Sequence, residues 1–178
     1  GALPDDAVDA VTRLAEGSPF MASAVLRGLV ECGALIPGAD GWIVDAEAMA
    51  DAGSSSRAAS FLTRRLDLLP PETIEFLSAG AVLGKQFELE MAAELCDMSP
   101  ADAITALNEA RQRQLVWIRP DGAQCVYVHD KIRAALLERL PIEQRQRRHE
   151  WAARYLLAHS PGRFSDLAYH FDAAAVAA

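Results

Sequence analysis

The residues able to do chemistry in this 178-residue chain are few: four histidines, three cysteines and one glycine–lysine run. Gly80-Ala81-Val82-Leu83-Gly84-Lys85-Gln86 imitates the phosphate-binding pattern G-x-x-x-x-G-K-[ST] but falls one residue short between its glycines. Gln86 stands where the magnesium-binding hydroxyl belongs, and the segment before it reads as helix rather than strand. The run is therefore read as a helix C-terminus closed by Gly84. His129, His149, His159 and His170 show no metal-ligand spacing, and Cys32, Cys96 and Cys125 form no C-x-x-C pair. That argues against a disulfide framework and a structural zinc site, and fits a reducing cytoplasm. G-x-S-x-G and H-E-x-x-H are missing too. With no recognisable set of acid, base and nucleophile, the chain is expected not to turn over a substrate alone.

Three short features remain. Gly17-Ser18-Pro19-Phe20 is a tight start to a helix, Val128-His129-Asp130 lies where a strand gives way to a helix, and Leu167-Ala168-Tyr169-His170-Phe171 sits near the C-terminus. Each has a plain reading: an ordinary helix cap, a locally hydrogen-bonded histidine, and core aromatics at helical spacing.

Periodicity supplies the elements that position them. Residues 4–16 read as a helix, with Asp5 and Asp6 at its positive end and Val8, Val11 and Leu14 on one face. Gly17 stops it, and Ser18 caps a second helix that has Pro19 at its first position and runs to Gly33. Residues 34–44 suggest two short extended pieces around a turn, and 51–56 is the most linker-like stretch. A helix over 57–69 is broken by Pro70-Pro71, and the next runs from Pro71 to Leu83. Helices follow at 88–96 and, behind the Ser99 cap, at 100–113. Two β-rich runs, 115–118 and 125–128, flank Arg119-Pro120-Asp121-Gly122 and predict a β-hairpin. Helices resume over 129–139, 142–159 and 164–175. The fold class is thus mainly α: a helical subdomain over 3–69, a winged-helix domain with one β-hairpin over 70–140, and the first helices of an α-solenoid over 141–178.

Composition narrows the function classes. Apolar residues make up 51% of the chain, enough to build a core, so disorder is not expected. No run approaches the ~18 apolar residues that cross a bilayer, so no membrane partner is expected. The net charge of -8 is unevenly spread. Residues 1–110 hold 18 acids and 6 bases, whereas 111–154 hold 10 bases and 5 acids. The basic stretch is either a footprint for phosphates or an acidic partner, or a set of solvated helix faces. The chain opens Gly1-Ala2-Leu3-Pro4 without an initiator methionine and is expected to belong to a longer protein.

The order of the three short features carries a resemblance. A Gly-x-Pro helix start, a helical segment, a winged helix and a Val-His-Asp junction look like the later half of a STAND signalling NTPase. That superfamily includes NB-ARC proteins and the large ATP-binding bacterial regulators related to the maltose activator. Gly17-Ser18-Pro19-Phe20 is similar to its GxP motif, whose proline lines the adenine pocket. Val128-His129-Asp130 resembles its MHD-type motif, whose histidine reaches the β-phosphate of ADP. Arg64-Arg65-Leu66-Asp67-Leu68-Leu69-Pro70 with 81–87 is similar to the run entering the winged helix in bacterial members. Leu167-Ala168-Tyr169-His170-Phe171 resembles the helix that begins their tetratricopeptide-like repeats.

The resemblance implies that 3–69 is a helical lid and that Gly17, Pro19 and His129 are cofactor-binding residues. The P-loop, the Walker B acid and the sensor arginine are not in this sequence. No cofactor is therefore expected for the chain alone, and ADP or ATP with magnesium is expected in an intact parent. The implied partners are an upstream P-loop ATPase domain and downstream helical repeats or another protein. The implied function is regulatory: lid and winged helix sense ADP or ATP and relay the state to an output domain. The alternative is a DNA-binding or protein-interaction module of a transcriptional regulator. Direct DNA binding is disfavoured because the helix at 100–113 carries Asp102 and Glu109 against Arg111 and Arg113, where phosphate contact wants several cations.

Overall fold

The computed structural model describes residues 2–15, 17, 19–39, 41–52, 66–120 and 124–175. These residues are mainly helical, and the chain divides into two compact units, Gly1–Leu68 and Leu69–Ala178.

The first unit begins with α1 (Asp5–Ala15) and α2 (Pro19–Glu31), packed together. Its buried α1 face is Ala7, Ala10, Leu14 and Ala15, while Val8 is 43% exposed. The apolar stripe is thus rotated from the expected Val8–Val11–Leu14 face, because small alanines turn towards α2. Gly17, between the helices, has φ +77°, a conformation that L side chains seldom take. The Ser18 cap lies outside the described residues. The two extended pieces form an antiparallel ribbon, β1 (Leu35–Pro37) with β2 (Trp42–Val44), in which Ile36 faces Ile43. A helix not expected from the sequence follows, α3 (Ala46–Ala52). Asp45 starts it by accepting a 2.9 Å bond from the Ala48 N–H. The expected linker at 51–56 therefore begins inside a helix. Its remainder, and residues 57–65 of the expected 57–69 helix with Arg64 and Arg65, lie outside the described residues.

The second unit is built around α4 (Pro71–Leu83). This helix buries every residue from Phe76 to Val82. It is surrounded by α5 (Leu89–Leu95), α6 (Pro100–Gln112), α7 (Asp130–Glu138), α8 (Ile142–His159) and a sheet. A helix contacted on all sides needs no polar stripe, which is why 76–83 is an almost unbroken apolar run. The sheet holds β3 (Gln86–Glu88), β4 (Val116–Ile118) and β5 (Gln124–Tyr127), antiparallel in the order β3-β5-β4. Helix, strand, two helices and two strands in this order are the winged-helix arrangement. The sequence predicted only the β4–β5 hairpin; β3 is a three-residue strand whose partners come from some forty positions later, so no local period marks it. The tip of the hairpin, 121–123, lies outside the described residues. Helices α8 and α9 (Phe164–Ala175) follow as a packed pair.

Two glycines of the false phosphate loop have clear structural roles. A Cβ on Gly80 would lie 2.7 Å from Cζ of Phe87, whose ring packs across α4. Phe87 also meets Phe76 edge-on at 5.9 Å and Tyr127 at 5.3 Å. Gly84 caps α4 with φ 153° and ψ -168°, a region essentially reserved for glycine. Its N–H returns to the Gly80 carbonyl at 3.0 Å. Gly80→Ala is expected to destabilise the second unit by about 1–3 kcal/mol through overpacking. The gain in helix propensity, ~1 kcal/mol, offsets only part of this. Urea denaturation should show a lower midpoint at unchanged slope, and an unchanged midpoint would contradict the Phe87 contact.

Candidate functional site

The sequence singled out Gly17, Pro19 and His129. Gly17 and Pro19 lie in the first unit, at the junction of α1 and α2, with Pro19 at the first position of α2. There proline costs nothing, since that N–H has no helical acceptor. His129 lies in the second unit, between β5 and α7.

The backbone around His129 is pinned from both sides. The Val128 N–H donates to Leu115 O at 3.1 Å, and the Tyr127 N–H donates to Lys85 O at 3.2 Å. His129 itself is extended, with φ -149° and ψ 142°, and serves as the N-cap of α7. Its Nδ1 accepts from the Lys131 N–H at 3.1 Å. In the neutral ring that acceptor role places the proton on Nε2, which becomes the donor available to another molecule. The plain reading of a locally hydrogen-bonded histidine therefore describes one nitrogen only. Beside it, Lys85 pairs with Asp130 at 3.0 Å, both side chains being exposed. Lys85 thus contacts a carboxylate here, and screening leaves that pair worth little to stability.

One turn further along α7, Arg133 links three elements. Its Nε donates to the Ala81 carbonyl at 2.8 Å, an otherwise open acceptor in the last turn of α4, and a terminal nitrogen reaches the Tyr169 hydroxyl at 3.3 Å. Tyr169 lies edge-on to His149 and His170 at 5.5 and 5.1 Å between ring centres. These two histidines meet, Nδ1 to Nδ1, at 2.8 Å, with 4% and 2% exposure. Burial pushes the pKa of each down to about 4, helped for His149 by His170, Arg133 and Arg145. For His170, Arg163 and Arg133 act in the same direction while Asp166 opposes them. This pair was not among the expected site residues. The available signal was that His149 falls among buried Ala152, Ala153 and Leu156 on α8, and His170 three residues after Leu167 on α9.

The basic stretch is divided by the fold. Arg148 is 6% exposed and pairs with Glu75 of α4, while Arg145 donates to Leu137 O at 2.7 Å. Of the triplet Arg145, Arg147 and Arg148, Arg147 alone is exposed. The acidic part concentrates elsewhere: a groove of about 700 Å³ beside α6 is lined by Glu72, Glu75, Asp97, Asp102 and Glu109. Phosphates would be repelled there. Among the described residues no three His, Cys, Asp or Glu side chains converge as a metal site, and no helix is long and apolar enough to cross a membrane. No protein-family model, curated protein or solved structure matches this chain.

Proposed function

We propose that this chain is the nucleotide-sensing, regulatory part of a multidomain signal-transduction ATPase. Its helical first unit would act as lid and its winged helix as the switch that responds to ADP or ATP held by a P-loop domain. The observation that carries the reading is the state of His129: Nδ1 is occupied by its own helix, so Nε2 is committed as a donor at the positive end of α7. A donor of that kind on a phosphate oxygen is worth ~1.5–3 kcal/mol, enough to bias a two-state hinge more than tenfold. Pro19 would supply the apolar wall for the base, and magnesium would arrive with the nucleotide. The chain itself performs no chemistry in this scheme; it reports on chemistry done by its partner domain.

The test uses the full-length polypeptide that carries this sequence. His129→Ala is expected to speed ADP release at least tenfold and to raise basal output. Because His129 also caps α7, that variant loses ~1 kcal/mol of stability as well. His129→Asn restores the cap without the Nε2 donor, so it should match the alanine variant in ADP release and the parent in melting temperature. Unchanged ADP release in both would overturn the assignment.

The alternative, a DNA-binding winged helix, finds no support in the surface of α6. Asp102 and Glu109 face the acidic groove, and cations do not outnumber acids along the helix. A protein-interaction module acting through Arg145, Arg147 and Arg148 is weakened by the burial of Arg148.

A further inference from the structure

Helix α9 packs along α8 through a narrow buried face. Among its described residues only Leu167 and His170 are buried. Leu167 joins Met91, Ala152 and Leu156 in one small apolar cluster, and Arg163, just before the helix, pairs with Glu88 of β3 at 2.7 Å. Phe164 and Phe171 point outward, at 76% and 47% exposure. His170 is thus one of the two buried side chains that anchor the helix, and its partner is His149.

That contact depends on proton count. Two neutral imidazoles make one Nδ1–H···Nδ1 bond, one ring donating and the other accepting. A first added proton takes the lone pair on Nε2 of the donor ring, and the bond survives. A second must take the acceptor's Nδ1 and sets two N–H groups against each other at the 2.8 Å the pair now spans. We propose that the His149–His170 pair is a proton-sensitive clasp, closed while one ring can accept from the other and released when both are protonated, freeing α9 from α8.

The surroundings set the clasp firmly closed near neutrality. Arg133 faces the pair from α7, Arg145 from α8 and Arg163 from the start of α9; the carboxylates within reach are Asp166 on α9 and Glu88 on β3. Both carboxylates are already paired with Arg163, at 2.7 Å each. Three guanidiniums outnumber the two carboxylates, and this net positive surrounding opposes extra protons and would equally oppose a divalent metal, which distinguishes this pair from a metal clip. His170 also lines a cavity of about 20 Å³ with Gln86 and Gln124, large enough for one water and so for a proton's approach.

Hydrogen exchange of backbone amides, corrected for intrinsic rates, tests the clasp on the whole chain. Between pH 7 and pH 4, protection over 164–175 should fall at least tenfold more than protection over 71–83. His170→Gln keeps a hydrogen bond but cannot titrate, so its 164–175 protection should stay level across that range. Should the variant fold poorly, imidazole nitrogen shifts of the parent protein decide instead: one protonated and one bare Nδ1 are expected at pH 7, and two protonated Nδ1 where α9 loosens. Acid loosening that persists in His170→Gln, uniform protection loss across both helices, or Nδ1 shifts that do not change where α9 opens would each overturn the proposal.

Discussion

Glu75→Ala is expected to cost about 3–5 kcal/mol of stability. Glu75 on α4 is the carboxylate paired with Arg148 of α8, whose side chain is 7% exposed while that of Glu75 is 43% exposed. The asymmetry decides which partner matters. Removing Arg148 leaves a carboxylate that water can reach, whereas removing Glu75 strands a guanidinium in the interior. Its NH1 already lacks a hydrogen-bond partner among the described residues. Alanine at 75 therefore leaves most of a buried cation unsatisfied. Arg148→Met, which keeps volume and removes the charge, should cost far less. Thermal unfolding should give Glu75→Ala the larger drop, on the order of 10 °C or more for a domain of this size. An equal drop for the two variants would mean the pair contributes packing only.

The second large effect is the pH dependence of folding. In the unfolded chain His149 and His170 titrate near 6.5; in the folded chain both are held down to about 4, first by burial. The native state therefore binds fewer protons throughout the interval between these values, and stability falls as pH falls. It is fully present above 6.5, is lost progressively towards 4, and changes no further below that on account of these groups. At pH 5 one such ring accounts for about 2 kcal/mol of lost stability, were it to titrate alone. The window from 6.5 to 5 is the informative one, because ordinary carboxylates remain ionised there. Urea midpoints measured over that window should decline in the parent protein and flatten in a His149→Gln, His170→Gln double variant. A decline of equal slope in both would place the titrating groups elsewhere.

Much of the fold is legible in the sequence because its signals are local. Pro71 and the Ser99 cap each mark a helix start by what one residue does to its own backbone. Ser99 accepts from the Asp102 N–H at 3.2 Å, as the cap pattern requires. The ends of α5 and α6 fall within one residue of the expected 96 and 113. Both close through left-handed residues that are not glycine, Asp97 at φ 53° and Gln114 at φ 56°. In each the following amide bonds back five residues, Met98 to Ala93 and Leu115 to Ala110, at 2.9 Å. Composition alone marks neither residue as left-handed.

The candidate site divides along the same line. Pro19 at the first position of α2 and His129 at the N-cap of α7 could be read from the chain, since caps and junctions are written in consecutive residues. What His129 does with each nitrogen could not, because it depends on the Lys131 N–H being presented by a formed helix. Reading Gly80 to Lys85 as a helix end rather than a phosphate loop followed from spacing alone; the partner that requires Gly80, the ring of Phe87, needed coordinates.

By itself, then, the sequence determined the mainly α class, the hairpin and most helix boundaries, all of which follow from periodicity and capping within a few residues. Tertiary structure alone decided the third strand, the burial of Arg148 and the meeting of His149 with His170. Strand β3 pairs across about forty residues, Arg148 finds Glu75 across 73 and His149 finds His170 across 21. A lone histidine or arginine on a helix carries no mark of its partner. Its proton affinity and its energetic weight come from the dielectric and the neighbours that packing brings to it.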